Sequence, residues 1–513
     1  MTATHDTKRI AKNTFIMYIR MFVMMLIGLY TSRVILNTLG VEDYGVYNVV
    51  GGVVAMFSII SSSLSGSVSR FLTFEIGRGD MRRLKEIFST SIIVQTAMAV
   101  GIVVVMEFVG VWFLNHKMNI PPGRMVAANF VLQCSIVSFA LGLINTPFSA
   151  LIVAHERFGI FAYLTLSDSI LKLLVVYLLY ISPFDKLQTY ATLLLVVTVL
   201  VQIVYFVYCR RQFAECRFSW IYKKTMLKEM GGFAGWTFLG NGSYILMTQG
   251  VNILMNLFFG VVVNAARGVA TIVENILTQF VNNFVTAINP QITKSYASED
   301  KEYLVSLINV GSKFSYLLLF AIAFPVFLEA ENLLKLWLVT VPPFTVLFLR
   351  LTIISILVTV LSNTMVTALL ATGQIKSYQI TIGVVSMMVL PVSYLLYKIG
   401  FPAYVSYVIQ IIVMLYQLSV RLHFLKKYLE FNIKKYLSVV VLRLLLMTVV
   451  SIMAVPFISL LFIQNGLLEV LIKCILAVFV SLFASYGLAL TKGERIYVKS
   501  IIRTRLLHDK NSN

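Results

Sequence analysis

A helix-length apolar segment between Val263 and Ala297 carries Arg267, Glu274, Asn275, Gln279, Asn282, Asn283 and Asn289 ahead of Pro290. At about 3.6 residues per turn, Arg267, Thr271, Glu274, Thr278, Asn282 and Asn289 fall along one broad face, while Val269, Ile272, Ile276 and Phe280 lie mainly elsewhere. That face is too polar for lipid and needs a wet or protein-lined interior beside it. The chemistry it offers is recognition: a guanidinium that grips anions through paired hydrogen bonds, and amides and hydroxyls that bind polar groups. The bland alternative is structural glue between helices. Asn241, Thr248, Asn252 and Asn256 form a second, approximate face just upstream. Hydroxyl surfaces recur at Ser58, Ser61, Ser62, Ser65 and Ser69, and at Thr352, Ser355, Thr359, Ser362 and Asn363.

A charge inside a bilayer costs at least about 2.5 to 3.5 kcal/mol, so each one has to be paired, cavity-facing or snorkelling. Arg33, near the outer end of the first apolar run, can reach headgroups, pair with Glu42 or Asp43, or face a substrate. Arg20 lies two turns inside the other end, where snorkelling is the competing account, and Arg70 and Glu75 sit where the second run leaves the membrane. Asp168 and Lys172 are spaced for a helical ion pair, acid first. They read either as a neutralised structural pair or as a coupling site whose carboxylate exchanges protons or sodium. Arg443 and Lys473 read as peripheral or as helix-to-helix contacts. The candidate substrate contacts are therefore Arg33, Arg267, Glu274, Asn252, Asn282, Arg20 and Arg70, and the candidate ion-coupling pair is Asp168 and Lys172. No catalytic or metal-ligating set stands out, and the scattered Cys134, Cys209, Cys216 and Cys474 have no metal-type spacing.

The elements that must hold these residues are transmembrane helices. Of 513 residues 59% are apolar and 12% charged, with mean hydropathy +0.87, and runs of about 20 apolar residues recur along the whole chain. Because the runs are continuous rather than alternating, the expected fold is an all-α polytopic membrane protein. The spans read as 14–38, 44–69, 87–113, 126–153, 158–181, 189–209, 233–257, 264–289, 307–329, 345–371, 377–398, 402–423, 437–463 and 468–490, about fourteen in all. The polar, basic N-terminus followed by a long apolar run reads as an uncleaved anchor. Basic residues concentrate in alternate loops, including Arg78 to Lys85, Arg210 to Lys228 and the C-terminal tail, which places both termini in the cytoplasm. The net charge of +20 then reflects topology and attraction to anionic lipid heads rather than nucleic acid. The stretch from Phe218 to Lys228 reads as an interfacial linker.

Shifting the chain by 220 residues brings Leu39-Gly40-Val41 onto Phe259-Gly260-Val261, Asp80 onto Asp300 and Leu84 onto Leu304 without a gap. A shift of six helices keeps the chain direction, so the expectation is two six-helix bundles related by a pseudo-two-fold along the membrane normal, with a substrate path between them. The expected domains are 1–209, a linker at 210–232, 233–425, and two added helices with a basic tail at 426–513. Arg33 and Arg267 fall toward the periplasmic ends of opposite bundles, where two guanidiniums can hold a pyrophosphate while amides and hydroxyls take sugar hydroxyls. There is no P-loop, no H-E-x-x-H and no soluble domain to hold a nucleotide, so neither an enzyme nor an ATP-driven pump is expected.

Three stretches carry a resemblance: Thr31 to Gly52, Arg70 to Asp80, and Val263-Asn-Ala-Ala-Arg-Gly-Val-Ala270 with Gln279 to Asn283 and Ala287 to Ala297. The chain resembles bacterial polysaccharide-biosynthesis flippases of the Wzx type, in the multidrug/oligosaccharidyl-lipid/polysaccharide exporter superfamily. The resemblance implies two six-helix bundles plus two helices in the bacterial inner membrane. It also implies flipping of an undecaprenyl-pyrophosphate-linked oligosaccharide to the periplasmic leaflet by alternating access, for O-antigen or capsule biosynthesis. Membrane lipids, and a polysaccharide polymerase with its chain-length machinery, are the partners it suggests; no cofactor is expected. Relatives that flip lipid II carry an arginine beside an acid in the middle of the first helix, and Met24 to Tyr30 has neither. Two alternatives remain open: a proton- or sodium-coupled multidrug antiporter of the same fold, which would want an acidic cavity, and a non-transporting scaffold for glycan assembly.

Overall fold

The computed structural model describes residues 2–58, 80–155, 157–216, 224–374, 376–454 and 467–496, with residues 68, 71–72 and 75–76. Arg70, Ser61, Ser62, Ser65, Ser69 and the stretch 217–223 lie outside the described residues, as do the side chains of Asn241 and Asn283. All regular structure among the described residues is helical, as the apolar runs require.

Helix α1 (Thr2–Ala55) contains the first predicted span and part of the second, divided at Gly40, whose φ of 79° and ψ of 171° leave the helical region. Helix α2 (Met81–Val105) runs through a π-helical turn (Met106–Gly110) into α3 (Val111–His116). Helices α4 (Met125–Ala154), α5 (Phe158–Ile181) and α6 (Lys186–Gln212) follow. Helices α7 (Lys224–Phe259) and α8 (Val261–Ala297) are separated by Gly260 alone. Next come α9 (Lys301–Leu328), α10 (Ala330–Trp337), α11 (Thr345–Val360) and α12 (Asn363–Ala371). The chain continues with α13 (Lys376–Met387), α14 (Val389–Lys398) and α15 (Val405–Leu429). The last two predicted spans are built from α16 (Ile433–Tyr436), α17 (Leu442–Met453) and α18 (Leu467–Ala484). Among the described residues, twelve helical stretches are long and apolar enough to cross a membrane. Phe22–Ala55 counts there as one although Gly40 divides it, and the predicted span at 233–257 falls where α7 side chains are only partly described.

The internal repeat carries into geometry. Gly40 and Gly260, 220 residues apart, both take positive φ, 79° and 78°. Asp80 and Asp300 both cap the following helix, accepting from the backbone N–H three residues on at 3.0 Å. Helices α2 and α9 start at Met81 and Lys301, and α4 and α11 at Met125 and Thr345, the same offset of 220. Where α2 loosens into its π turn, the second copy breaks between Leu328 and Ala330. Helices α6 and α15 still start within one residue of the offset, at Lys186 and Val405.

The chain divides into two compact units. Unit 1 comprises Met1–Ile272, Trp337–Thr345 and Gly383–Ser406, and has a core of Leu72, Phe88, Leu84, Phe148, Leu151 and their neighbours. Unit 2 comprises Val273–Leu336, Val346–Ile382 and Tyr407–Asn513, and has a core around Phe320, Met365, Leu425 and Tyr436. In each, large apolar side chains such as Phe108, Ile203, Ile452 and Phe483 are exposed, which suits surfaces that face hydrocarbon.

Candidate functional site

The polar interior of unit 1 is built where the second part of α1 meets α7 and α8. Glycines let the backbones approach. A Cβ on Gly45 would overlap the Val261 carbonyl, one on Gly52 would lie 2.5 Å from Asn252 Nδ2, and one on Gly268 would lie 2.7 Å from Asn48 Cγ. Asn48 and Gly268 are 220 residues apart, so a position and its repeat mate touch.

Around these glycines the side chains form one amide network. Asn264 donates from Nδ2 to both the Oδ1 and the backbone oxygen of Asn252 at 2.8 Å. Asn252 Nδ2 reaches the Asn48 carbonyl at 3.4 Å, and Asn48 Nδ2 donates to the Tyr44 carbonyl at 2.7 Å. Arg267, only 8% exposed, donates from Nη2 to the Thr248 carbonyl at 2.9 Å. Asn256, fully buried, pins the loop after α3 by accepting from the Asn119 N–H at 2.9 Å and donating to its carbonyl at 3.3 Å. Asn264 Oδ1 is buried with no hydrogen-bond partner among the described residues. Such a cluster can hold a polar or anionic group; it has no nucleophile–base pair.

Asn252 and Arg267, both singled out in the sequence, thus lie in the same α7–α8 hairpin, Asn252 within the amide network and Arg267 on the Thr248 carbonyl one turn before it. Arg33 is exposed on α1 ahead of Gly40. Arg20 is half-buried, with its guanidinium 5.1 Å from the Phe161 ring centre. Glu274 is half-buried and Asn282 exposed, both in unit 2. Asp168 accepts from Lys172 Nζ at 2.7 Å, so the α5 pair is formed. Glu75 is buried against Arg83 at 3.3 Å, and Lys473 pairs with Glu469 on its own helix at 2.6 Å. Asn264 and Asn48 were not singled out, although the amides bracketing the Gly40 and Gly260 turns were a visible signal.

Other ionic arrangements depend on tertiary contacts. Arg124 forks onto Asp43 through Nε at 2.6 Å and through Nη2, and its Nη1 reaches Asp185 at 2.6 Å. Asp185 also caps α6 through the Gln188 N–H. Burial pushes the Asp185 carboxyl up, but the Gln188 N–H and the Arg124 guanidinium outweigh it and hold the group below the usual carboxylate range. In unit 1, His155 Nε2 lies 2.6 Å from the buried Glu215. In unit 2, Lys313 is 1% exposed within α9 and ion-paired with Glu494 at 2.9 Å. Glu494 caps Thr491 as well, and although burial opposes ionisation, the Thr491 N–H and Lys313 keep its carboxyl low.

No protein-family model matches the chain. A stretch of 299 residues, 57% of the chain, is 21% identical to the uncharacterized membrane protein EpsK of Bacillus subtilis (strain 168), and it spans 58% of that protein's length. Among solved structures, that of the lipid II flippase MurJ in an inward closed conformation matches with a TM-score of 0.69 at 12% identity, covering 94% of this chain and 99% of that one. An outward-facing multidrug resistance MATE family transporter of the MOP superfamily matches with a TM-score of 0.61 at 14% identity, covering 82% and 96%. At these identities the likeness is one of fold. The chain is an all-α, multi-pass membrane protein with the two-bundle architecture of those transporters.

Proposed function

We propose that the chain is a flippase for a lipid-linked oligosaccharide. It moves undecaprenyl-pyrophosphate-linked glycan units from the cytoplasmic to the periplasmic leaflet of the bacterial inner membrane by alternating access, for surface polysaccharide synthesis. The observation that carries this reading is the buried Arg267 set among the amides of Asn48, Asn252 and Asn264: a cationic, hydrogen-bonding interior suited to a pyrophosphate and its sugar. The fold likeness to a lipid II flippase supports a lipid-linked cargo. In this reading Arg33, Glu274, Asn282, Arg20 and Arg70 make further contacts along the path, and the termini are cytoplasmic. The close packing at Gly45–Val261 and Asn119–Asn256 is then the closed periplasmic side. The test is deletion followed by analysis of undecaprenol-linked sugars. Accumulation on the cytoplasmic leaflet is expected, and normal surface glycan with altered dye sensitivity would overturn the reading.

That second outcome is the signature of a cation antiporter, the reading the MATE likeness favours. It would make Asp168 the coupling carboxylate, and the 2.7 Å bond to Lys172 the contact broken on ion binding.

A further inference from the structure

Between Glu86 and His116 the chain has one charged residue, Glu107. It lies within Met81–His116, a stretch long and apolar enough to cross a membrane, and roughly 14 Å along the helix from His116 at about 1.5 Å per residue. It belongs to the π turn Met106–Gly110. Gln133 on α4 donates from Nε2 to Glu107 Oε2 at 2.9 Å and is its one partner among the described residues. Gln133 is nine residues into the chain from Arg124, as Glu107 is nine residues back from His116, so the two side chains meet at one depth. Gln133 is exposed and Glu107 half-buried, and the apolar side chains beside them, Phe108, Phe130 and Val137, are exposed. This is a surface suited to hydrocarbon.

The elements around the pair bring no cation. Helix α4 has no charged residue from Met125 to Ala154, and Cys134 is its one titratable group. The parts of α1 and α7 that share a cavity with Met106 and Gly110, 53–57 and 250–257, carry no titratable residue, and α14 brings Tyr394 there. Asp168, by contrast, is neutralised by Lys172 at 2.7 Å. A carboxylate facing hydrocarbon is costly. Protonation removes the charge and keeps the pair, the new hydroxyl donating to Gln133 Oε1 while Nε2 donates to the carbonyl oxygen. Nearer His116 the same helices are joined by Asn115 and Asn129, which bond reciprocally from Nδ2 to Oδ1 at 2.9 and 2.8 Å, so a seam of amides leads from Glu107 to the polar helix ends. Helix-to-helix glue needs no acid at 107, because glutamine there makes the same bonds. We propose that Glu107 is a proton-binding site whose occupancy sets the shape of the π turn. On release, the electron pair of the O–H bond stays on the carboxylate and the proton passes to water at the seam; on uptake, the neutral acid–amide pair closes the turn against hydrocarbon. Met106 and Gly110 of that turn line the cavity, so the proton acts on one of its walls. The proposal goes beyond the flippase reading and holds for any cargo.

The test uses the full chain in liposomes of phosphatidylethanolamine and phosphatidylglycerol. Dicyclohexylcarbodiimide enters hydrocarbon and adds to a protonated carboxyl, leaving an N-acylurea that peptide mass spectrometry locates. Across a pH series Glu107 should be labelled on the acid side, with labelling falling about tenfold per pH unit above its midpoint. A water-soluble carbodiimide with an amine nucleophile should label the exposed Glu331 and spare Glu107. Hydrogen exchange of the peptide 103–113, corrected for its intrinsic pH dependence, should step at the same midpoint in the wild-type chain and show no step in Glu107→Gln. Labelling of Glu107 by the water-soluble reagent, or by neither reagent, overturns the proposal, and so does an exchange step that persists in Glu107→Gln. Should that variant fold poorly, the wild-type chain decides: coincident labelling and exchange midpoints support the proposal, and exchange without a step overturns it. None of these outcomes touches the accumulation of lipid-linked sugar in the deletion strain, so the two readings fail separately.

Discussion

A guanidinium inside a helix hairpin of apolar residues needs acceptors, and the Thr248 carbonyl is one that a helix can lend without breaking, because its oxygen has a second lone pair. Arg267→Leu is therefore expected to cost only about 1 kcal/mol of stability while abolishing transport, and Arg267→Lys, which keeps the charge and loses the fork, should fall between; melting curves beside a transport assay separate the two effects. The Arg124 cluster behaves differently. The folded Asp185 carboxyl lies below its unfolded value, so its contribution is complete above about pH 3.9 and disappears as pH falls through the lowered folded value. Asp185→Asn should lower the melting temperature at neutral pH and flatten its acid-side loss, so that the two proteins converge as pH falls through the lowered value; equal neutral melting temperatures and an identical acid limb in both proteins would show that the contact carries no stability. Arg267 and Asn252 were legible because a charge or amide in an apolar run is costly enough to stand out. Asp43 was legible only as a possible partner for Arg33, and its grip by Arg124, 81 residues on, is a tertiary fact.

At the scale of elements, the repeat makes a paired prediction. Gly40 and Gly260 hold nearly the same positive φ, and Gly40, with ψ of 171°, lies in a region open essentially to glycine alone, so Ala at either should cost about 1 to 3 kcal/mol, measured as loss of melting temperature. Unequal costs would mean that the two turns are alike only in sequence. Gly45→Ala should cost more, in the range of about 1 to 3 kcal/mol seen for overpacked sites, because its neighbour is the Val261 backbone and cannot turn aside. The helical runs, and the repeat that aligns Gly40 with Gly260 and Asp80 with Asp300, were readable from periodicity and spacing; that the glycines form turns and the aspartates cap helices is visible only in the backbone. The π turn at Met106–Gly110 was not, since an apolar run looks the same whether it closes α or π hydrogen bonds.

At the scale of the molecule, the last two spans are tied to α9 through Lys313 and Glu494, 181 residues apart. Removing one partner leaves a buried charge, so Lys313→Leu with Glu494 intact, or Glu494→Leu with Lys313 intact, should cost about 3 to 5 kcal/mol. The double replacement should recover most of that; if it does not, the two residues act separately. Lys313 lay in plain view inside a predicted span, but its partner was hidden in a tail that reads as uniformly basic. Unit 1 gathers Met1–Ile272 with Gly383–Ser406, so helices of the first copy share a compact unit with helices of the second. During synthesis, Gln212 is made roughly 10 to 40 seconds before Ser406 at about 5 to 20 residues per second. For that interval the six earliest spans stand in the bilayer without α14, so this unit cannot close until most of the chain has left the ribosome, and a nascent chain stalled in between is the form most exposed to quality-control proteases.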